Sequence, residues 1–173
     1  MSLNKPTQFF FFLVLTLCYS IVHGLETDKS SPILIEANQV DMAEKSGIST
    51  YTGNVKLEQG SIKINADSIV VYTQNKKLQR IIATGSPATF SQKPDNQTDD
   101  VHASAQHVEY SSLSGMLILL NNANMQQGSN LFSGNRIEYD TNNDILSAKS
   151  SQKNNQRVKA VIQPETFTEI RKK

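Results

Sequence analysis

The residues best suited to metal or acid–base chemistry are two histidines, His102 and His107, and the aspartates of a nearby loop. The histidines lie five positions apart, which places their side chains on opposite faces of a straight strand. They cannot both reach one metal ion there, and no cysteine lies nearby to complete a zinc site. Asp95, Asp99 and Asp100 lack the ligand spacing of an EF-hand, so they predict a solvated loop.

The sequence contains no other arrangement that suits a catalyst. There is no glycine-rich phosphate loop, no nucleophile elbow and no pair of carboxylates spaced to share one strand face. We therefore expect no enzyme activity, no metal ion and no cofactor. A secreted enzyme that acts on polysaccharide stays an alternative, because two carboxylates about 5 to 10 Å apart can meet across a groove from distant strands.

The first 24 residues differ in character from the rest of the chain. Lys5 precedes a mostly apolar run over residues 9–22, and Gly24 supplies the small residue of a cleavage site. This layout predicts a secretory signal peptide cleaved before Leu25. The alternative is a retained anchor helix, which normally needs about 20 apolar residues to cross a bilayer. We expect an exported protein with one domain over residues 25–164 and a short polar tail over 165–173.

Cleavage would also change the charge and the cysteine content. It removes Lys5 and the single cysteine, Cys18, which leaves 16 basic and 16 acidic residues. Without cysteine the remaining chain can form no disulfide, thiolate metal site or cysteine nucleophile. A balanced charge also disfavours nucleic acid as a partner, because phosphate backbones are held by an excess of lysine and arginine.

A repeat relates the two halves of the remaining chain. Residues 37–78 align without gaps on residues 105–146, a separation of 68 positions. A shorter unit recurs within the repeat. It consists of a small residue, a polar residue, any residue and a β-branched residue, in that order. Its four copies are residues 37–40, 66–69, 105–108 and 134–137. We expect one layer of strands to recur at each copy, with a solvated loop inserted near residues 93–100.

The pattern of apolar residues predicts mainly strands, because segments with a period of two outnumber any helical stretch. Apolar and polar residues alternate with a period of two over residues 33–37, 55–58 and 62–66. Residues that favour turns separate the strands, at 45–47, 52–54, 59–60 and 141–144. The expected fold is all-β, as a sandwich, jelly roll or solenoid that closes or stacks to hide its edges.

Residues 116–120 form five consecutive apolar positions and so differ from the alternating strands. An apolar run of this kind places apolar side chains on both faces of a strand. Either both faces are covered by the protein, or one face meets a ligand or a partner.

Four segments carry a resemblance to a known family: residues 31–37 (SPILIEA), 52–55 (TGNV), 59–67 (QGSIKINAD) and 87–90 (PATF). They resemble the LptA (OstA-like) family of periplasmic lipopolysaccharide transport proteins, over about residues 32–164. Residues 60–67 are the specific part of the match. In the second repeat Asn121 stands where Gly53 stands in the first, and we expect asparagine to keep the bend because it tolerates positive φ.

The resemblance implies an all-β, open β-jelly roll with an apolar interior groove for lipid A acyl chains. It also implies head-to-tail assembly into a bridge, with lipopolysaccharide, inner-membrane LptC-like and outer-membrane LptD-like components as partners. Alternation and resemblance together give the predicted groove residues: Ile33, Ile35, Val55, Leu57, Ile62, Ile64, Phe90, Tyr110, Leu117, Leu119 and Phe132. A membrane-anchored LptC-like component is the runner-up within the same fold.

Overall fold

The computed structural model describes residues 28–94, 99–151 and 157–164. The predicted signal peptide and the predicted tail lie outside these residues. A short 3₁₀ helix (Asp28–Ser30) precedes the strands of the described part. These strands are β1 (Ile33–Glu36), β2 (Gln39–Ala43), β3 (Ile48–Gln59), β4 (Ile62–Gln74), β5 (Lys77–Gln92), β6 (Val101–Ser111), β7 (Met116–Gln127), β8 (Asn130–Asp140), β9 (Ile145–Lys149) and β10 (Lys159–Val161).

All ten of these strands belong to one antiparallel sheet, so the predicted all-β class is confirmed. The order is β1-β3-β4-β5-β6-β7-β8-β10, with β2 also beside β3 and β9 also beside β8. The 68-residue repeat is visible as the hairpin β3–β4 and its counterpart β7–β8. Within the described ranges, no helix combines the length and apolar character that a membrane crossing requires.

Every long strand bends at one common level of the sheet. The pairing register shifts there in each of the five pairs from β3–β4 to β7–β8. In β3 the bend is made by Gly53 (φ 84°) and Asn54 (φ 53°), and in β7 by Asn121 (φ 63°) and Asn122 (φ 55°). The turn predicted at residues 52–54 is therefore wrong, since the chain bends within one strand. The expected replacement of glycine by asparagine is confirmed.

The line of bends folds the sheet into two arms. The first arm contains β1, β10 and residues 55–66, 88–94, 99–105 and 123–134, and the second contains the rest of the long strands with β2 and β9. The arms face each other across the core. Phe90 of the first arm and Tyr110 of the second have ring centroids 5.5 Å apart, although Tyr110 pairs with Ile81 at the far end of β5.

The four copies of the short repeated unit mark these bends. Residues 66–67, 105–106 and 134–135 lie at the bends of β4, β6 and β8, and residues 37–38 join β1 to β2. The small residue suits the tight inner side of the bend. At Gly134, for example, an added Cβ would lie only 3.0 Å from the carbonyl oxygen of Lys149.

The bend also corrects the prediction for the two histidines. Ala105 and Val108 of β6 are both buried in the core, so the inward parity of the strand changes between them. His102 and His107 consequently both lie on the outer face, on different arms, and the prediction of opposite faces is wrong. Within the described ranges, no three His, Cys, Asp or Glu residues group closely enough to hold a metal ion.

Candidate functional site

The predicted groove residues all belong to the interior that the two arms enclose. Eight of them are at most 2% exposed in the core: Val55, Leu57, Ile62, Ile64, Phe90, Tyr110, Leu117 and Leu119. Ile33, Ile35 and Phe132 are partly buried and pack against this core. In the present conformation the middle of the interior is therefore filled by side chains.

The apolar run at residues 116–120 divides between the two faces of β7. Leu117 and Leu119 are fully buried in the core. Met116, Ile118 and Leu120 point to the outer face and are half-buried. The run is thus explained mainly by packing, with a partly covered outer side.

The interior opens at the edge formed by β1 and β2. A cleft of about 1120 Å³ lies there between β1 of the first arm and β2, β3 and β4 of the second. The apolar residues that line it are Ile33, Leu34, Ile35, Met42, Ala43, Tyr51 and Val71, and the remaining lining residues are mainly polar. The cleft is slightly larger than most ligand sites in proteins, which measure roughly 300 to 1,000 Å³.

Two residues on β2 explain why the cleft is open. Val40 and Met42 pair with Tyr51 and Ser49, so they share the inward face of the second arm. They are nevertheless 51% and 60% exposed, because β1 and β2 are edge strands and no further strand among the described residues covers them. Sequence reasoning missed Met42, Tyr51 and Val71, although alternation with the assigned residues could have placed them.

Charged groups border the cleft without entering its apolar part. Lys45 and Lys76 stand at its rim on two neighbouring turns, with Glu44 beside them. Ion pairs lie instead on the sheet surface, such as Arg136 with Glu138 at 2.6 Å. The hydrogen bond from Arg136 lowers the pKa of the Glu138 carboxyl. The arrangement suits an apolar chain with an anionic end, and it offers no nucleophile or acid–base pair.

A second concavity lies on the outer face of the first arm. It measures about 610 Å³ and is bordered by outward side chains such as Ser91, His102, Asn124 and Lys159. Phe90 and Met125, which also border it, are at most 2% exposed and point to the opposite side of the sheet. This concavity lies on the other side of the sheet from the interior, although two predicted groove residues, Phe90 and Phe132, also border it.

The two edges of the sheet carry most of the exposed large apolar side chains. Within the described residues, β1 and β10 each pair with a single strand, at opposite ends of the sheet order. The exposed side chains at these edges are Leu34, Val40, Met42, Ile145, Val158, Val161 and Ile162. Unpaired backbone groups beside apolar side chains are features of an edge that pairs with another chain.

Burial predicts that the middle of the interior serves stability. Ile64→Ala is expected to lower the free energy of unfolding by about 2 to 5 kcal/mol, because it leaves a cavity in the core. The neighbouring Lys63→Ala should change it by less than about 0.5 kcal/mol, since Lys63 is exposed and its 3.6 Å ion pair with Glu58 is solvated. Urea unfolding followed by circular dichroism measures both. Equal losses would contradict the assigned inward face of β4.

Comparison with known proteins supports the same interpretation. Residues 34–145 match the family model of the LptA/(LptD N-terminal domain) LPS transport protein. The chain is 36% identical over 142 residues to the lipopolysaccharide export system protein LptA of Escherichia coli strain K12, covering 79% of this chain and 74% of that protein. It is 29% identical over 139 residues to the export system protein LptH of Pseudomonas aeruginosa, covering 80% and 79%.

A solved structure shows the same fold. The crystal structure of LptH, the LptA-homologous periplasmic component of the lipopolysaccharide transport device of P. aeruginosa, superposes with a TM-score of 0.72 at 28% identity. The match covers 80% of this chain and all of that one. The predicted jelly-roll fold and the non-enzymatic class are thereby confirmed through the relatives. The chain belongs to the LptA/LptD N-terminal domain family of lipopolysaccharide transport proteins.

Proposed function

We propose that this protein carries lipopolysaccharide with the acyl chains of lipid A held between its two arms. The observation that carries the proposal is the cleft of about 1120 Å³ at the β1–β2 edge, which is open to solvent and lined by apolar residues of β1 to β4 together with polar residues of two turns. Each methylene that leaves water for such a surface gains about 0.8 kcal/mol. A carrier needs a long apolar trough of this kind and no catalytic group.

The rim of the cleft suits the other end of the ligand. Lipid A carries phosphate groups, and Lys45 and Lys76 place two ammonium groups beside the apolar lining. Lysine is a common ligand for phosphate as a point charge. Glu44 lies on the same turn as Lys45 and limits the net positive charge of the rim.

The filled centre of the interior sets a condition on this mechanism. Acyl chains longer than the cleft can advance only if the arms move apart and the buried core residues turn into groove lining. In this account Ile33 and Ile35 contact the ligand first. The other predicted groove residues, such as Val55 and Phe132, lie deeper in the interior and contact the ligand only after the arms have separated.

We further propose that copies assemble head to tail through β1 and β10. When a second copy is placed beside the first in the same orientation, its β1 runs antiparallel to β10 of the first. This follows because β1 is antiparallel to β3, β10 is antiparallel to β8, and β3 and β8 run in opposite directions. The two edges differ, so the contact is heterologous and generates an open filament.

The line of bends fixes the register of this contact. Glu36 pairs with Lys56, and Lys159 pairs with Ser133. The repeat relates Lys56 to Asn124, and Asn124 pairs with Ser133. Lys56 and Ser133 therefore stand at equivalent levels relative to the line of bends. Continuing that level into the next copy places its Glu36 opposite Lys159.

In the same register Leu34 lies opposite Val161 on the outer face. Both side chains are about half exposed in a single copy, at 59% and 48%. Pairing would remove their apolar surface from water. The opposite charges of Glu36 and Lys159 would meet at the next pair on the same face. Cross-strand pairs of these kinds each contribute about 0.2 to 1 kcal/mol.

We place this assembly in the periplasm, with residues 25–164 as one domain after removal of residues 1–24. Its ends would meet an inner-membrane LptC-like and an outer-membrane LptD-like component. The alternative, an LptC-like component that keeps its N-terminal segment, is distinguished by sequencing the N-terminus of the protein isolated from the cell envelope. A sequence that begins at Leu25 supports the carrier, and an uncleaved chain supports the anchored alternative.

A competition experiment tests whether the acyl chains are what the protein recognises. Fluorescently labelled lipopolysaccharide bound to the protein should be displaced by unlabelled lipopolysaccharide and by lipid A. The saccharide released by removing all acyl chains should not displace it at matched concentration. Equal displacement by the deacylated saccharide would overturn the proposed interior site.

A further inference from the structure

Three side chains join the tips of the two arms near the β9–β10 edge. One oxygen of the Asp144 carboxylate, Oδ1, accepts two hydrogen bonds. Tyr139 Oη donates one at 3.0 Å, and Gln127 Nε2 donates the other at 2.7 Å. Gln127 Nε2 also lies 3.4 Å from Tyr139 Oη. Gln127 ends β7 in the first arm, whereas Tyr139 and Asp144 belong to the second. We call these three residues the tip bridge.

The distance along the chain shows how much the tip bridge spans. Gln127 lies ten residues from Leu117 on β7, and Leu117 pairs with Tyr139. In a straight strand ten residues extend roughly 33 Å. The hydrogen bonds of the tip bridge therefore require β7 to remain folded at Asn121 and Asn122.

The turn that carries Asp144 is itself well anchored. The Asp140 carboxylate accepts hydrogen bonds from the backbone N–H groups of Asn142 and Asn143 and from Asn143 Nδ2, at 2.8 to 3.1 Å. The side-chain hydrogen bond from Asn143, followed by the backbone ones, lowers the pKa of Asp140. The turn thus presents Asp144 in a fixed position.

The internal repeat provides a comparison within the same molecule. Its equivalents of Gln127, Tyr139 and Asp144 in the first half are Gln59, Val71 and Lys76. Valine has no polar atom and a lysine ammonium can only donate, so these residues cannot form the same hydrogen bonds. Gln59 Nε2 instead donates to the carbonyl oxygen of Ser31 at 3.2 Å.

The two halves of the interior differ accordingly. Val71 and Lys76 border the open cleft at the β1–β2 edge, and Val71 is 4% exposed. Tyr139, at the equivalent position of the second half, is fully buried. The two positions thus border an open cleft in the first half and carry the tip bridge in the second.

From this geometry we infer that the tip bridge is a latch that holds the second half of the interior closed until a ligand forces it apart. The inference rests on the proposed carriage of acyl chains. Ligand enters the first half, where the repeat lacks the latch, and it passes to the second half only when the bonds to Asp144 break. Gln127, Tyr139 and Asp144 are positioning residues in this account, since they need not touch the ligand.

Distances between spin labels test the latch without ligand. Labels at Ser129→Cys and Ile145→Cys, in a Cys18→Ser chain, lie on opposite tips at exposed positions. The parent chain should give a short, narrow distance distribution, and Asp144→Ala or the conservative Tyr139→Phe should shift it to longer, broader distances. Unchanged distributions in both folded variants would overturn the latch.

Installing the latch in the first half is the second test. Val71→Tyr with Lys76→Asp recreates the bridge beside Gln59, and Val71→Phe with Lys76→Asp matches its bulk and charge without the hydroxyl. Labels at Lys45→Cys and Glu58→Cys should come closer in the tyrosine variant only. Identical distances in the two variants would contradict a role for the hydroxyl.

Adding lipopolysaccharide separates failure of the latch from failure of the proposed function. Bound lipopolysaccharide should shift the parent distribution for labels at residues 129 and 145 towards that of Asp144→Ala. Binding without any shift would overturn the latch while the carrier proposal stands. Absence of binding would overturn the carrier proposal, and the latch would still be judged by the distances measured without ligand.

Discussion

Ile35→Asp is expected to weaken lipopolysaccharide binding by at least about a hundredfold, which corresponds to roughly 2.7 kcal/mol. Ile35 lines the open cleft and packs against the core from one side. An aspartate there either remains ionised beside acyl chains or must be protonated, and both states cost free energy in an apolar site. Titration of labelled lipopolysaccharide at protein concentrations below those of assembly measures the affinity.

Leu34→Asp is the matched control for this change. Leu34 neighbours Ile35 on β1 and also borders the cleft, but its side chain lies on the opposite face of the strand, where it is 59% exposed. The Leu34→Asp change should leave the affinity of a single copy for lipopolysaccharide within about threefold of the parent, because a charge at an exposed position remains hydrated. Equal loss in the two variants, with both shown folded by circular dichroism, would argue against binding between the arms.

Removal of residues 157–173 is expected to abolish end-to-end assembly while preserving most of the β signal. The deletion takes away β10 and with it the edge that pairs with β1 of the next copy. Removal of residues 165–173 alone is the control, since it leaves β10 in place. Light scattering over a range of protein concentrations should show growth for the parent and the control only.

The register of assembly has its own test in the same system. In a Cys18→Ser chain, the pair Leu34→Cys and Val161→Cys should cross-link between copies on mild oxidation, whereas Leu34→Cys with Lys159→Cys should cross-link far less. A parent chain that stays monomeric at every concentration, with and without lipopolysaccharide, would refute assembly and favour a soluble shuttle.

The sequence predicted which residues face the interior, because a period of two survives in every strand between the bends. It could not locate the bends themselves. The short repeated unit at residues 66–69 and 134–137 was recognised, but as a layer of strands, since a small residue followed by a polar one does not reveal that a strand folds there. Gly53 and Asn54 were interpreted as a turn for the same reason, as positive φ serves turns and bends alike.

The bends also explain the error over the two histidines. Strand parity gives opposite faces to residues five positions apart only when the strand is straight. The inward parity of β6 changes at its bend, where the pairing register with β7 shifts, and this places His102 and His107 on one side of the sheet. A register shift of this kind depends on the neighbouring strands and leaves no periodic signal in the sequence.

Which part of the interior is open could not be predicted either. Ile33 and Ile64 have the same residue type and the same alternating context. Ile64 is 1% exposed because β3 and β5 flank it, whereas Ile33 lies on an edge strand beside the cleft. Position in the sheet order decides between core and cleft, and that order is a property of the whole fold.

Site-specific photo-cross-linking tests the central claim most directly. Tyr51 lines the cleft on the inward face of β3. Tyr72 lies on the outer face of the same arm, with the Arg80 guanidinium 4.3 Å from its ring centroid. Benzoyl-phenylalanine can replace either tyrosine: it keeps the phenyl ring and carries a photoreactive benzoyl group in place of the hydroxyl. We predict that the probe at position 51 cross-links to lipopolysaccharide and that the probe at position 72 does not. Cross-linking from position 72 and none from position 51 would contradict carriage between the arms.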